Sequence, residues 1–319
     1  METVAEKIAV VFPGQGSQRA GMGKDFYEQS RVARDTYQQA SEVLGWDVAS
    51  MCFHENEKLH LTKYSQPCIL TTEIAMLRAI QDKIPIAPVF FGGHSLGEYS
   101  ALVAAEAISF EDALAVVRER GRLMQSASPV GTGSMIAVIG KHLPIDIVRK
   151  SLDNLPVDIA NINSLQQVVI SGSSDSMDDA VRRITAVVPP EEELRFVPLQ
   201  VSAPFHSRFM RNVSDLFFDV LNRIIDRIHP EKAERVTSNV TGGFHCGGRM
   251  EIVTNLLEQL RSTVNWNENM NLIAQSASRI YEIGPSRVLR KFFQSIDTRC
   301  SSITTISSAV REFERQEVR

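Results

Sequence analysis

The chain has 319 residues, with 34 Lys and Arg against 38 Asp and Glu, which gives a formal net charge of −4. This balance argues against generic nucleic-acid binding, and no apolar run approaches the length of a membrane span. A chain of this length can form one large domain, or a domain that carries a smaller insertion. The four cysteines are far apart and lack metal-type spacing, so we expect no metal site and a reducing, cytoplasmic environment.

The first predicted element is a buried strand over residues 7–12, an apolar run that leads into Pro-Gly-Gln-Gly-Ser-Gln at 13–18. A loop at the carboxyl end of a parallel strand lies where open α/β sheets bind their ligands. An ordinary β–α loop is the alternative. Helices are predicted over 27–44 and 61–80, and Pro67 near the start of the second is typical of a first-turn position.

The stretch over 89–100 contains Gly-x-Ser-x-Gly, formed by Gly93, Ser95 and Gly97. A short β-prone run precedes this motif, and an Ala-rich run over 100–107 follows it. A nucleophile elbow requires this strand–turn–helix setting, because the serine must sit on a tight turn at a helix N-terminus. A plain glycine turn would have the same residues. We predict that Ser95 is a nucleophile.

The pattern after the elbow indicates a small inserted unit. Its elements are a helix (110–125), a linker (126–133), a strand (135–139), a helix (145–152), two strands (157–162 and 167–171), a helix (176–186) and a strand (194–199). The order βαββαβ within this series is the ferredoxin-like arrangement. The predicted fold class is therefore α/β, with an α/β-hydrolase-like catalytic subdomain over 1–129 and 200–319. Residues 130–199 form the ferredoxin-like small subdomain.

The remaining elements return to the large subdomain. They are a long helix (209–228), a strand (235–240), two helices (252–261 and 267–276), a strand (279–283) and a last apolar pattern (288–296). The charged tail over 312–319 is expected to fray.

A serine hydroxyl needs a base to act as a nucleophile, and His206 is the best candidate among the seven histidines. It follows a strand, is crowded by Ala203 and Phe205, and lies in a predicted loop at the sheet end. His94 is too close to Ser95 in sequence to turn its ring onto the hydroxyl. The other five, including His245, lie in polar, loop-like or helix-end contexts. Simple core packing is the alternative for His206.

Motifs spread over the whole chain carry a family resemblance. In order they are Phe-Pro-Gly-Gln-Gly-Ser-Gln (12–18), Ser-Gln-Pro (65–67), Gly-His-Ser-Leu-Gly-Glu (93–98), Arg-Gly (120–121), Asn-Ile-Asn (161–163), Gln-Val-Val-Ile-Ser-Gly (167–172), Phe-His-Ser (205–207) and Glu-Ile-Gly-Pro (282–285). With them the chain resembles the malonyl-CoA:acyl-carrier-protein transacylases, and particularly the free-standing, trans-acting acyltransferases of polyketide synthases. A housekeeping enzyme of fatty acid biosynthesis is the alternative.

The resemblance implies a ping-pong reaction in which Ser95 takes a malonyl group from malonyl-CoA, with His206 as general base. The phosphopantetheine thiol of an acyl carrier protein then takes the group from the serine. The backbone amides of Leu96 and Gln15 would hold the oxyanion. The resemblance implies no cofactor besides the phosphopantetheine that the partner carries, and a monomeric enzyme.

Substrate-binding roles also come from the resemblance. Arg120 would hold the free carboxylate of malonyl, whereas its neighbours Arg118 and Arg122 suit a solvated helix face. Phe205 would crowd the pocket for an α-substituent and so favour malonyl. The side chains expected to line the site or the pantetheine channel are Gln66, Asn161 and Asn163. The main-chain carbonyl expected to orient the His206 ring belongs to Asn265.

Three alternatives stay open at this point. A hydrolase of the same fold would clear acyl groups from carrier proteins, and another transferase would move an unusual acyl group. A catalytically silent docking subunit is the third. Two basic clusters follow motif loops, and we expect them to dock an acidic carrier protein unless they are ordinary surface charge. The clusters are Arg208 with Arg211, and Arg287, Arg290 and Lys291.

Overall fold

The computed structural model describes residues 6–127, 131–201 and 203–317. Its strands are β1 (Ile8–Phe12), β2 (Phe90–Gly93), β3 (Gly133–Ile139), β4 (Val157–Ser164), β5 (Gln167–Ser173), β6 (Arg195–Pro198), β7 (Arg279–Ile283) and β8 (Ser301–Ile303). The α-helices are α1 (Lys24–Gln29), α2 (Arg31–Leu44), α3 (Val48–Phe53), α4 (Thr62–Lys83), α5 (Leu96–Ala104), α6 (Phe110–Gln125), α7 (Ile145–Ser151), α8 (Met177–Val187), α9 (Arg211–Asn222), α10 (Pro230–Ala233), α11 (Arg249–Arg261), α12 (Trp266–Ser276), α13 (Val288–Gln294) and α14 (Ile306–Glu317).

A parallel sheet with the order β2-β1-β7-β8 forms the centre of the large subdomain. Strand β1 is apolar without interruption because helices cover both of its faces, and Ala9 to Phe12 are fully buried. The strand predicted at 235–240 is reduced to a single parallel bridge between Phe91 and Val236. Asn239 does not pair in the sheet. Its main-chain amide instead donates to the carboxylate of Glu98 on α5.

The elbow depends on direct backbone packing of α5 against β1. A Cβ atom at Gly97 would lie 2.2 Å from the carbonyl oxygen of Phe12, and one at Gly93 would lie 2.0 Å from the carbonyl group of Gly97. Real side chains do not approach that closely, so only glycine fits at either position. This packing places Ser95 between the carboxyl end of β2 and the first turn of α5.

The second sheet is antiparallel with the order β4-β5-β3-β6, and α7 and α8 cover one face of it. The predicted βαββαβ arrangement is therefore confirmed. The other face joins the large core through Met135, Ala137 and Val169. The boundary that we propose at 129/130 lies outside the described residues.

Several element bounds differ from the sequence prediction. The helix expected over 27–44 is two helices, because the Ser30 side chain accepts from the Ala33 amide and starts α2 afresh. Pro67 is inside α4, as its sixth residue, rather than in the first turn. The long helix expected over 209–228 consists of α9 and a short 3₁₀ turn on each side.

The end of the chain is more ordered than its charge suggests. The strand β8 and the helix α14 were not predicted. Helix α14 includes residues 312–317 of the tail that was expected to fray, and residues 318–319 of that tail lie outside the described residues. Helix α14 is anchored because Ala309 and Phe313 are buried, and the Phe313 ring lies 5.1 Å from that of Tyr281. Among the described helices none is both long and apolar enough to cross a membrane.

Candidate active site

The elbow and the returning chain bring the predicted pair together. The Oγ atom of Ser95 lies 2.8 Å from Nε2 of His206, although 111 positions separate the two residues. Both have positive φ angles, 52° for Ser95 and 55° for His206, in a region that L-residues rarely adopt. Such backbone strain costs about 1–3 kcal/mol per residue and persists only where the surroundings impose it.

The Asn239 side chain holds the strained elbow. Its Oδ1 accepts from the Ser95 amide at 2.6 Å, and its Nδ2 donates to the Gly93 carbonyl at 2.8 Å. The same Nδ2 also donates to Oδ1 of Asn269 at 2.9 Å, which fixes the orientation of the Asn239 amide. The turn around the nucleophile is therefore bonded on both sides by one buried side chain.

The carbonyl that orients the His206 ring belongs to Gln259 and not to Asn265. Nδ1 of His206 lies 2.6 Å from the Gln259 oxygen. Helix α11 ends at Arg261, so this oxygen is among the last four of the helix, which lack partners within it. The Asn265 carbonyl is already used, because it begins α12 and accepts from the Asn269 amide at 3.1 Å. The prediction of Asn265 was therefore wrong.

Arg120 is fully buried and points at the nucleophile. One terminal nitrogen donates to Oε1 of Gln66 at 2.8 Å, and the other donates to Oε1 of Gln259 at 2.8 Å and to Ser95 Oγ at 3.1 Å. All three acceptors are neutral, and no described carboxylate lies within ion-pair distance of the guanidinium. Burial lowers the pKa of Arg120. Its exposed neighbour Arg122 binds Glu119 on the outer helix face, as expected.

Burial and the nearby Arg120 charge lower the pKa of His206 to about 3, whereas the Gln259 carbonyl acts in the opposite direction. The imidazole is thus neutral near pH 7 and can accept a proton from Ser95 through Nε2. Its Nδ1–H is held by the Gln259 carbonyl, which determines which nitrogen faces the serine.

Two backbone amides are candidates to stabilise an oxyanion. One directly follows Ser95 in the sequence, and the other lies after β1, the strand that pairs with β2. Leu96 is the first residue of α5, and Gln15 lies in the loop after β1. In the described part of the chain neither amide donates to another protein group. The Gln15 side chain is held by Thr62 at 3.1 Å and by Gln66 at 3.2 Å. These amides are suitable donors for a developing oxyanion.

The other side chains that were predicted to line the site differ in what they contact. Oδ1 of Asn163 accepts from Nε2 of His94 at 2.8 Å, beside the elbow. Asn161 lies in β4, where its backbone bridges to Val264. Phe205 is buried in the main core just before His206. Of this set, only Gln66 contacts Arg120 directly.

Sequence reasoning missed Gln259, Glu98 and Asn239, and it placed His245 in a surface loop. His245 is instead 2 % exposed, and its Nε2 lies 2.9 Å from Oε1 of Glu98. A buried carboxylate requires such a partner. The sequence did contain a signal for two of these residues. Glu98 and Gln259 are polar residues on the buried, otherwise apolar faces of their helices.

A cleft of about 710 Å³ opens beside His206, between β4 and the end of α11. Its wall includes Arg149, Arg208, Arg211 and Arg261, with Asp158 and Glu258 among them. In the ranges that the structure describes, no group of three or more His, Cys, Asp and Glu could hold a metal ion.

A neutral histidine bonded to an elbow serine, with free amides nearby, is the arrangement that acyl transfer through a serine hydroxyl requires. The sequence model of a family described as "Acyl transferase domain" matches residues 9–296. The malonyl CoA-acyl carrier protein transacylase of Bacillus subtilis (strain 168) is 38% identical over 305 residues, which are 93% of this chain and 92% of the relative. That of Staphylococcus aureus (strain MSSA476) is 37% identical over 307 residues, 94% and 96% of the two chains.

Solved structures agree with this match. The malonyl CoA-acyl carrier protein transacylase from Clostridium perfringens superposes with a TM-score of 0.88, at 31% identity and 98% coverage of both chains. A malonyl-transacylase solved with its type II polyketide synthase acyl-carrier protein superposes with a TM-score of 0.86, at 33% identity, covering 97% of this chain and 99% of its own. The chain belongs to the malonyl CoA-acyl carrier protein transacylase family and is an acyltransferase.

The pKa of His206 leads to a prediction about pH. An unperturbed histidine is half protonated near pH 6.5, and protonation removes the base. Because the pKa of His206 is lowered to about 3, the base form persists to lower pH. Acylation of the free enzyme, measured as kcat/KM in quenched-flow experiments, should stay nearly constant from about pH 8 to about pH 5. Circular dichroism at each pH would check folding, and an acid limb centred near 6.5 in the folded protein would contradict this prediction.

Proposed function

We propose that this enzyme transfers malonyl from malonyl-CoA to the phosphopantetheine thiol of an acyl carrier protein, for fatty acid or polyketide biosynthesis. The observation that carries this proposal is the Arg120 guanidinium, which is buried 3.1 Å from Ser95 Oγ without a counter-ion among the described residues. A substrate with a carboxylate beside its thioester supplies the missing charge. The relatives named as malonyl transacylases support the same substrate.

The first half-reaction begins when Ser95 Oγ attacks the thioester carbon and its proton passes to Nε2 of His206. The amides of Leu96 and Gln15 stabilise the tetrahedral oxyanion. When the C–S bond breaks, His206 returns the proton to the sulfur of the departing CoA. In the second half-reaction the carrier thiol gives its proton to His206 and attacks the ester. Ser95 Oγ then leaves with that proton, which regenerates the enzyme.

The carboxylate of malonyl has two effects in this scheme. It pairs with Arg120, and it compensates the charge that helps to keep the pKa of His206 low. The base therefore becomes stronger once the correct substrate is bound. Acetyl-CoA would leave the guanidinium uncompensated, so it would bind less well and would not activate His206.

The remaining parts of the proposal concern the setting of the reaction. The enzyme acts as a monomer, since one chain supplies Ser95, His206, Arg120 and the carbonyl of Gln259. It needs no cofactor of its own, because the phosphopantetheine arrives on the carrier protein. The four unpaired cysteines are consistent with a reducing cytoplasm.

The nucleophile assignment can be tested directly. Wild-type protein treated with malonyl-CoA should gain one malonyl group on the peptide that contains Ser95, as located by mass spectrometry. Ser95→Ala should form no adduct, because no other hydroxyl lies within bonding distance of His206 Nε2 in the described residues. An adduct on another peptide would overturn the assignment. Rapid release of free malonate without carrier protein would support the hydrolase alternative instead.

Arg120 should determine the preference for malonyl. In Arg120→Ala the malonyl carboxylate has no partner in the buried site, so malonyl acylation should fall about 100-fold or more. Acetyl acylation should rise relative to malonyl acylation, because the buried charge that acetyl leaves uncompensated, and that lowers the pKa of His206, is gone. The malonyl-to-acetyl ratio of the two kcat/KM values should therefore fall. Arg122→Ala is the matched control, because Arg122 lies on the same helix and binds Glu119 at its surface. An unchanged ratio in Arg120→Ala would remove the argument for a carboxylate clamp.

The two basic clusters differ in their suitability for carrier docking. Arg208 forms a bidentate ion pair with Asp158, so its charge is already compensated. Only Arg211 of the first cluster has no ion pair in the described ranges. In the second cluster, Arg287 and Arg290 line a cleft of about 590 Å³ together with Arg311, and none of these three has an ion pair within the described ranges. The loop before them is adjacent to the site, since Pro13 packs against Gly284. We therefore propose the second cluster as the docking surface.

Charge reversal separates docking from chemistry. Arg290→Glu should slow transfer from malonyl-Ser95 to the carrier protein by about tenfold at low salt, and less at high salt. Acylation of Ser95 by malonyl-CoA should remain within about twofold of wild type. Arg182→Glu is the matched control. It makes the same change of charge as Arg290→Glu but on α8, in the outer layer of the small subdomain, and it should affect neither step. Equal slowing of both half-reactions by Arg290→Glu would exclude this surface.

A further inference from the structure

The carboxylate of Glu98 is fully buried three residues after the nucleophile and has no part in the proton transfers described above. Its Oε1 lies 2.9 Å from Nε2 of His245. Its Oε2 accepts from Nε2 of Gln259 at 2.7 Å and from the Asn239 amide at 3.1 Å. Every partner of this carboxylate is a buried group, and two of them contact Ser95.

The Gln259 amide is oriented by this carboxylate. Its Nε2 donates one hydrogen to Glu98 and the other to the Ser95 carbonyl, at 2.9 Å. Its Oε1 consequently faces Arg120 and accepts from the guanidinium at 2.8 Å. The reversed amide would place an oxygen against the carboxylate and an NH₂ group against the guanidinium, and both contacts are repulsive. Glu98 thus determines which end of Gln259 faces Arg120.

The His245 ring has one polar contact in the described residues, and that contact is with Glu98. Its Nδ1 is buried without a partner. The ring therefore serves the carboxylate alone, by donating from Nε2 to Oε1. With His245 on one oxygen and Gln259 on the other, Glu98 cannot rotate away from the site.

We propose that Glu98, held in place by His245, is a positioning residue that determines acyl selectivity by fixing Arg120 through Gln259. The inference rests on the proposed malonyl transfer and adds a residue that never touches the substrate. Glu98 also places a negative charge behind Gln259, which favours the charged form of Arg120. The connection runs from His245 to Glu98, then to Gln259, and ends at the guanidinium that binds the malonyl carboxylate.

The decisive variant is Glu98→Gln, which preserves shape and removes the charge. Loss of a hydrogen bond to a charged group should let Gln259 reverse, so kcat/KM for malonyl-CoA acylation should fall about 10-fold to 100-fold. The loss should appear mainly as a higher KM, because Arg120 binds the carboxylate. Acylation by acetyl-CoA, which has no carboxylate, should stay within about threefold of wild type.

Glu73→Gln is the matched control. Glu73 is also fully buried, and it accepts a hydrogen bond from Ser100, which lies on α5 as Glu98 does. It does not contact Gln259. Burial raises the pKa of Glu73 well above its usual range, so an amide resembles the carboxylic acid it replaces. The malonyl-to-acetyl ratio should be unchanged in this variant. A fall in the ratio equal to that of Glu98→Gln would show that any buried carboxyl has the same effect, and would overturn the proposal.

The histidine gives a second and independent test. His245→Ala removes the donor and should lower the malonyl-to-acetyl ratio, whereas His245→Gln can still donate to Glu98 and should largely restore it. If Glu98→Gln and His245→Ala reduce both substrates in parallel with thermal stability, the pair is merely structural and the proposal fails. If wild-type protein itself forms no malonyl-Ser95, the proposed function fails instead, so the two failures are distinguishable.

Discussion

The buried guanidinium of Arg120 is the constraint around which the site is arranged. A charge without a counter-ion inside a protein is costly, and here three neutral acceptors and a more distant carboxylate hold it in place. The same charge lowers the pKa of the base that the nucleophile needs. In the proposed reaction, the malonyl carboxylate would compensate this charge and so strengthen the base when it binds. In that proposal, one buried charge affects both the choice of substrate and the strength of the base.

A helix end takes the place of the third member of a catalytic triad. Helix α11 stops at Arg261, which leaves the Gln259 carbonyl free to hold Nδ1 of His206. A carbonyl orients the ring without placing a full negative charge against it, so the imidazole is less basic than one paired with a carboxylate. Weak basicity suits the role proposed for His206, which would also act as an acid toward a thiolate leaving group.

The site spans segments that are far apart in the chain, and Gln259 connects them. Its side chain contacts the Ser95 carbonyl, Glu98 and Arg120, while its main chain contacts His206. Asn239 has a similar role on the other side of the elbow. Because both side-chain amides are buried, their polar atoms require partners, and the neighbouring segments supply them.

The amino-acid sequence by itself determined the elements whose pattern is local. The elbow follows from glycine spacing at Gly93 and Gly97, the bounds of α6 and β7 agree with their apolar periodicity, and the βαββαβ order follows from the alternation of patterns over 133–198. Ser95, His206 and Arg120 could be named from motifs because their chemistry requires particular residue types. Tertiary structure alone decided which carbonyl faces His206, because every residue has a backbone carbonyl and the sequence does not distinguish that of Gln259 from that of Asn265. It also decided that His245 is buried against Glu98 and that Arg208 is compensated by Asp158, because pairing depends on where distant segments meet in space.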